Sequence, residues 1–168
     1  AAAIMEALVD TNQVVSDLPG NRFIAKINVD GTIQETDASM SLYGTIGYDH
    51  DFTMRYIDQL METRNNVGIL LTVKSPGGSV YVSDELYLKL LDYKEATGRP
   101  IYCYFEDYAC SGGYYIAMAA DEIYANRNTW TGSIGVIIST YNYSELFNKL
   151  GIEEVDITSG ANKAMGSG

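Results

Sequence analysis

The residue in this sequence with the clearest potential for chemistry is a serine followed by two glycines. Ser111 lies in the segment Ala-Cys-Ser-Gly-Gly (109–113), between a predicted strand and a predicted helix. Its small neighbours leave the hydroxyl uncovered, and the start of a helix favours the negative charge that develops during nucleophilic attack. A serine at such a place is more often a helix N-cap, yet paired glycines are poor helix formers. Both interpretations are open at this point. Ala109 excludes the Gly-x-Ser-x-Gly elbow of α/β-hydrolases.

A second glycine-rich turn follows another predicted strand. Residues 75–78, Ser-Pro-Gly-Gly, come shortly after the apolar run 69–73. Loops at the carboxyl ends of parallel strands are where α/β proteins place their functional groups. Paired glycines let a ligand approach the main chain closely, and their N–H groups bind a developing oxyanion. A plain tight turn is the simpler interpretation of this segment on its own.

A nucleophilic serine needs a base, and the sequence offers two kinds. The sole histidine, His50, stands between two aspartates without any further motif, so we expect it to be a surface residue. The other kind of base is a lysine kept neutral by burial. Lys163 follows the last predicted strand, among the small residues of Ser-Gly-Ala-Asn-Lys (159–163). Spacing alone does not distinguish it from an exposed lysine in a C-terminal tail.

Apolar periodicity predicts strands and helices in alternation. Short apolar or alternating runs predict strands at 23–29, 69–73, 101–105, 122–125, 134–138 and 153–157. Helical spacing predicts helices near 4–9, 52–61, 86–91, 115–120 and 144–150. Residues 32–48, rich in Thr, Ser, Gly and Asp, are predicted to be a mobile loop. Strand and helix alternate roughly every 30 residues, which is typical of βαβ units, so the sequence predicts one α/β domain with a parallel sheet.

Composition excludes several classes of protein. The chain has 168 residues, of which 46% are hydrophobic and 20% charged, so wholesale disorder is excluded. A net charge of −11 makes the chain a poor binder of phosphate backbones, and no nucleic-acid partner is expected. Cys103 and Cys110 are too few for a disulfide scaffold and lack metal-type spacing, so semi-buried thiols are expected. No apolar run approaches the length of about 20 residues that a membrane span needs.

Four ordered motifs together carry more information than any one of them. They are Ser-Pro-Gly-Gly (75–78), Ser-Gly-Gly-Tyr-Tyr (111–115), Thr-Gly-Ser-Ile-Gly-Val (131–136) and Ser-Gly-x-x-Lys (159–163). Over about residues 22–167 the sequence closely resembles the bacterial signal peptide peptidase A family, in its short single-domain form. The resemblance implies an α/β fold of the Clp protease/crotonase type with repeated ββα/βαβ units, and a serine peptidase with a Ser–Lys dyad.

The resemblance also implies roles for individual residues. Ser111 corresponds to the family's nucleophile and Lys163 to its general base. Gly78 corresponds to the glycine whose N–H helps to form the oxyanion hole, with the N–H of Gly112 as the second donor. Ser133 corresponds to a serine that orients the lysine amine. No metal and no cofactor are implied.

Substrate, location and assembly are further implications of the resemblance. Family members hydrolyse remnant signal peptides at the bacterial cell membrane, with an N-terminal anchor and the catalytic domain outside the cytoplasm. They form homo-oligomeric rings in which neighbouring protomers share a site. We therefore expect a lead-in at 1–21 and a peptidase domain at 22–168, truncated at its C-terminus and lacking its anchor. Cys110 stands where the family usually has alanine, and a packing role is expected for it.

Three alternatives remain beside this hypothesis. A phage prohead protease of the same clan would share the dyad and cut scaffold proteins. A crotonase-type acyl-CoA hydratase or isomerase would use the glycine N–H groups on a thioester enolate, but it calls for basic residues that bind the phosphates of CoA, and no basic cluster is visible. A non-catalytic scaffold would keep the fold only for assembly.

Overall fold

Alternating apolar residues build the sheet that carries the candidate site. The structure, a computed structural model, describes residues 18–35, 47–153, 155, 157, 159 and 160. The chain divides into two compact units, Ala1–Gly135 and Val136–Gly168. None of the helices in the described ranges has the length and apolar character that crossing a bilayer requires. The sheet and the turns that contain Gly78, Ser111 and Ser133 belong to the first unit.

The first unit is a parallel sheet with helical connections. Its elements in chain order are β1 (Phe23–Asp30), α1 (His50–Glu62), β2 (Asn66–Ser75), α2 (Val80–Thr97), β3 (Ile101–Cys110), α3 (Gly112–Ala117), β4 (Glu122–Ala125) and β5 (Trp130–Gly132). The strands are ordered β1-β2-β3-β4, and β5 pairs with the end of β3 beyond β4. Every pairing among them is parallel. The predicted α/β class with a parallel sheet is confirmed.

One face of this sheet forms the core. Its side chains alternate along three strands: Ala25, Ile27 and Val29 on β1, Ile69, Leu71 and Val73 on β2, and Ile101, Cys103 and Phe105 on β3. Helices α1 and α2 add five fully buried side chains, those of Ile57, Leu60, Leu86, Leu90 and Tyr93. Burying one such aliphatic side chain contributes about 1.5–3 kcal/mol. This packing holds the carboxyl ends of β2 and β3 side by side, where both glycine-rich turns begin.

The helix ends are defined by local chemistry. The Asp49 carboxylate accepts the N–H of Phe52 at 2.9 Å and caps α1. Ser79 caps α2 through the N–H of Val82, and Gly98 ends that helix in the left-handed region with a φ of 66°. These caps fix where the chain enters and leaves each helix.

Part of the predicted loop 32–48 is ordered. Ile33 is fully buried and forms a parallel bridge with Gly78, so the prediction of a mobile loop is wrong for this residue. Residues 36–46 lie outside the described part of the chain. Ile33 is therefore a fixed support for the turn that contains Gly78.

The second unit contains one helix in its described residues, α4 (Ser144–Leu150), which ends at Gly151 with a φ of 70°. The predicted helix at 144–150 is confirmed, whereas the predicted strand at 134–138 is wrong. The edge of β3 is occupied by β4 and by Trp130–Gly132, and Ile137 is 88% exposed. The described residues of 153–157 are not in a strand either, and the predicted helix at 4–9 lies outside the described residues.

Candidate functional site

Ser111 occupies a strained turn between β3 and α3. Its φ of 49° and ψ of −118° place a non-glycine residue in a region that L-residues rarely adopt. The Ser111 N–H donates to the Gly132 carbonyl and its own carbonyl accepts the N–H of Tyr115, both at 2.9 Å. Although Ser111 stands at the N-cap position, its side chain makes no capping hydrogen bond. The interpretation as a simple cap therefore loses its basis, and the hydroxyl remains available for chemistry.

The turn after β2 packs directly on this serine. Gly77 is buried and has a φ of 98°, a conformation that favours glycine. A β-carbon on Gly77 would lie 2.7 Å from the Ser111 β-carbon and 2.7 Å from the Gly112 nitrogen. Since real β-carbons do not approach other atoms so closely, only glycine allows the two turns to meet. The pair of glycines at 77 and 78 is thus more than a plain tight turn.

Two backbone N–H groups are left unused where these turns meet. Gly78 and Gly112 donate no hydrogen bond within the part of the chain that the structure describes. A β-carbon on Gly112 would stand 3.4 Å from the Gly78 nitrogen, so the two residues are immediate neighbours. Gly78 is exposed and Gly112 partly buried. Paired N–H groups beside a nucleophile are the arrangement that stabilises an oxyanion.

The directions of these N–H groups follow from the peptide bonds that contain them. In a trans peptide the N–H points opposite to the preceding carbonyl. The Gly77 carbonyl accepts the N–H of Ile33 at 2.9 Å, so the Gly78 N–H points away from Ile33. In the same way the Ser111 carbonyl bonds into α3, and the Gly112 N–H points out of the helix start. Both N–H groups are therefore turned away from the carbonyl hydrogen bonds that hold their turns.

The remaining predicted site residues have different outcomes. Ser133 has a φ of 52° and follows Gly132, whose carbonyl accepts the Ser111 N–H. The turn after β5 is therefore attached to the turn of the serine, although Ser133 itself is exposed. Lys163 lies outside the described residues. The structure brings Ser111, Gly78 and Gly112 together, and Ser133 is the residue after Gly132, whose carbonyl accepts the Ser111 N–H.

His50 is buried, so the expectation that it is a surface residue is wrong. Its side chain is 7% exposed at the start of α1. The Tyr48 hydroxyl lies 2.7 Å from Nδ1, and Nε2 lies 3.1 Å from the Glu85 carboxylate. Burial raises the pKa of Tyr48 above its ordinary value, which keeps that hydroxyl a donor. Both ring nitrogens are thus engaged in a polar cluster that links α1 to α2.

The two cysteines differ in their surroundings. Cys103 is fully buried in the core, and burial raises the pKa of its thiol to about 12. Cys110 is partly buried, and its Sγ donates to the Trp130 carbonyl at 3.6 Å. The expectation of semi-buried thiols holds for Cys110 and understates the burial of Cys103.

The described residues of the site indicate one class of reaction. Within the described ranges, no three His, Cys, Asp or Glu side chains lie close enough to hold a metal ion. What the geometry provides is a hydroxyl on a strained turn and two adjacent amide donors. That combination suits acyl transfer, in which a carbonyl becomes a tetrahedral oxyanion. The supporting residue that the sequence did not reveal is Ile33, because its bridge to Gly78 joins positions 45 residues apart in a segment without periodicity.

Comparisons with known proteins agree with this chemistry. Residues 93–168 match the model of a family described as peptidase family S49. A protein from Enterococcus faecium with the provisional name signal peptide peptidase SppA is 40% identical over 155 residues, which cover 92% of this chain and 44% of that protein. Capsid assembly protease C of Escherichia phage lambda is 30% identical over 148 residues, covering 86% of this chain and 32% of that protein.

A solved structure resembles the fold. A mutant of a membrane-bound stomatin-specific protease, solved in complex with a substrate peptide, has a TM-score of 0.52 and 18% sequence identity. The similarity covers 79% of this chain and 57% of that chain, and it supports the fold alone. This chain thus spans less than half the length of the two curated relatives.

Proposed function

Because this chain belongs to peptidase family S49, as its resemblance to the signal peptide peptidase A family predicted, we propose that it is a serine endopeptidase with a Ser–Lys dyad. Ser111 is the nucleophile and Lys163 the general base. Gly78 and Gly112 form the oxyanion hole, and Ser133 orients the lysine amine. We place the catalytic domain at residues 22–168, after a lead-in at 1–21.

One observation carries this proposal. The Ser111 hydroxyl has no capping role on a strained turn, and the amides of Gly78 and Gly112 lie beside that turn without hydrogen-bond partners among the described residues. The strained conformation of Ser111 costs free energy in the folded state, and the two amide donors are free to bind a ligand. They are explained together when a substrate carbonyl is the missing partner.

The reaction follows from these positions. The Ser111 Oγ attacks the carbonyl carbon of the scissile peptide while Lys163 removes its proton. The carbonyl oxygen becomes an oxyanion that accepts the N–H groups of Gly78 and Gly112. Collapse of this intermediate breaks the C–N bond, and the lysine passes its proton to the leaving amine. Water then hydrolyses the acyl-enzyme by the same steps.

Lys163 works as a base only when its amine is uncharged. Desolvation in a closed site favours the neutral form of a lysine, and a hydroxyl such as that of Ser133 holds the amine in one orientation. The support for Ser133 in this role is its place directly after Gly132, whose carbonyl holds the Ser111 N–H. A lysine base also agrees with the hydrogen bonds of His50, whose ring nitrogens bind Tyr48 and Glu85.

The substrates that we propose are remnant signal peptides at the bacterial cell membrane. The name of the Enterococcus faecium relative supports this substrate class. We further propose that the domain acts outside the cytoplasm on an N-terminal anchor, and that protomers assemble into a ring with shared sites. In such a ring Lys163 acts on its own Ser111 or on that of a neighbour.

The proposal is tested with a fluorophosphonate probe, which labels activated serines. We expect the wild-type protein to be labelled and both Ser111→Ala and Lys163→Ala to lose labelling, because the first removes the nucleophile and the second its base. The exposed serine of α4 gives a matched control, and Ser144→Ala should be labelled like the wild type. If Ser111→Ala is labelled as strongly as the wild type, Ser111 is not the nucleophile. If Lys163→Ala is labelled as strongly as the wild type, Lys163 is not the base.

A second candidate, a prohead-type protease, is favoured by the phage lambda relative. It shares the dyad, so labelling does not separate it from the first candidate. The two candidates are separated by comparing the rate of cleavage of synthetic apolar signal peptides with that of an intact scaffold-type protein. Preference for the apolar peptides supports the first candidate, and preference for the scaffold supports the second. The acyl-CoA and scaffold alternatives lose support from the family membership.

A further inference from the structure

Ser75, the serine of the Ser-Pro-Gly-Gly turn, lies close to the candidate oxyanion hole. Ser75 is the last residue of β2 and is fully buried. A shift in register after Val73 aligns it with Ala109, two residues before Ser111. A β-carbon on Gly113 would meet the Ser75 carbonyl at 3.0 Å and its β-carbon at 3.2 Å. Ser75 is thus packed between the turn of β2 and the first turn of α3.

The hydroxyl of Ser75 holds the turn that follows it. Its Oγ accepts the N–H of Gly77 at 3.1 Å across Pro76, which has no N–H of its own. The Gly77 carbonyl accepts the N–H of Ile33 at 2.9 Å. Both polar groups of Gly77 are therefore bonded, one by a side chain and one by the backbone of a distant segment.

These two bonds decide where the next amide points. The peptide between Gly77 and Gly78 is a rigid plane. Because the N–H and the carbonyl of Gly77 are both hydrogen-bonded, the direction of the Gly78 N–H is determined. An oxyanion donor contributes most when it is held in place before the reaction, since it then needs no reorganisation. A hydrogen bond to the neighbouring residue is a means of holding it.

We infer that Ser75 is a positioning residue: its hydroxyl, through the Gly77 N–H, holds the Gly78 amide in the orientation that stabilises the oxyanion. This inference rests on the proposed peptidase function. Among the described residues the Ser75 hydroxyl bonds to Gly77 and not to Ser111, so in this role it acts through the turn. Its loss should therefore affect the chemical step more than substrate binding.

The test compares Ser75→Ala with Thr72→Val. Thr72 lies on the same strand, is 6% exposed and donates its hydroxyl to Asn28 at 2.6 Å, so the control removes a buried hydroxyl without touching the turn. We expect Ser75→Ala to lower kcat about tenfold or more with KM within about twofold, since losing a donor outright costs about 10²–10³. Thr72→Val should keep the wild-type kcat.

Hydrogen exchange of the backbone amides adds a readout that does not depend on activity. In the wild type the Gly77 amide should exchange slowly and the Gly78 amide fast, and Ser75→Ala should make both fast.

The outcomes separate the inference from the function on which it rests. Wild-type kcat in a folded Ser75→Ala protein overturns the positioning role and leaves the peptidase intact. A Gly77 amide that exchanges as fast as that of Gly78 in the wild type also overturns it, even where the variant does not fold. A wild-type protein without Ser111-dependent hydrolysis overturns the peptidase function, and the role of Ser75 in it, before any Ser75 variant is made.

Discussion

Gly112 and Ser83 are packed so closely that a β-carbon on the glycine would lie 2.4 Å from the serine Oγ. Ser83 is 2% exposed, and its hydroxyl donates to the Ser79 carbonyl at 2.8 Å, so it has little room to move. Gly112→Ala must therefore displace either this hydroxyl or the start of α3, and we expect the shift to reach the proposed second oxyanion donor. We expect the rate of fluorophosphonate labelling to fall about 10²-fold, the scale of losing one donor.

A second substitution separates this clash from other effects. The φ of Gly112 is not in the left-handed region, so alanine is allowed there by backbone conformation. In the double variant Gly112→Ala/Ser83→Ala the Oγ is absent, and part of the labelling rate should return. Gly20→Ala, where a β-carbon meets nothing within 4 Å, is the control for a glycine substitution. A double variant no faster than the single one would contradict the steric explanation.

His50→Ala should weaken the fold and leave the labelling of Ser111 unchanged. The substitution removes one partner of the Tyr48 hydroxyl and one partner of the Glu85 carboxylate in a largely buried cluster. Unfolding in urea should show a loss of about 2 kcal/mol. Labelling by the fluorophosphonate should stay within about twofold of the wild type at temperatures where the variant is folded. Abolished labelling of a folded variant would make the histidine the base in place of Lys163.

The two thiols should react on different timescales. At pH 8 a thiol with a pKa of about 12 is ionised to about one part in ten thousand, and Cys103 is in addition shielded from reagents. Since its pKa is raised, its reactivity should increase with pH. An aromatic disulfide reagent should therefore modify one thiol in the native protein and the second only in urea. Cys110→Ala should abolish the native reaction without changing the labelling of Ser111, and a remaining native reaction would show that Cys103 is accessible.

Periodicity predicted the elements that bury a continuous apolar face, and it failed where pairing depends on the backbone alone. The strand at 101–105 was predicted, yet β3 continues to Cys110 through the polar residues 106–108. That half pairs with β5 through main-chain groups, which side-chain patterns do not report. The prediction of a strand at 134–138 failed in a different way. Its isoleucines form an apolar run that is typical of a buried strand, but they are exposed.

The glycine-rich turns indicated three of the proposed site residues, Gly78, Ser111 and Gly112, because a close approach of two backbones requires glycine in the sequence. Gly77 and Gly78 are glycines because of contacts with Ser111 and Ile33 that no other residue allows. The support from Ile33 and the burial of His50 could not be predicted from the sequence, since each depends on a partner 35 or more residues away. Pairwise contacts over such distances require the folded chain.

Asp121 gives a pH-dependent test of how the start of β3 is held. Its carboxylate accepts the Lys94 ammonium at 2.7 Å and the N–H of Ile101 at 2.8 Å, and these bonds, that of Lys94 first, lower its pKa below the ordinary value. A lowered pKa means stability that is present above about pH 4, the unfolded value, and lost as pH falls through the folded value.

Asp121→Asn should thus reduce the free energy of unfolding in urea at pH 7, by less than about 1 kcal/mol because both side chains are partly exposed. The difference from the wild type should shrink at pH 3, whereas Asp92→Asn, at an exposed position of α2, should show little difference at either pH. An equal loss for Asp121→Asn at both pH values would mean that the charge does not stabilise this junction.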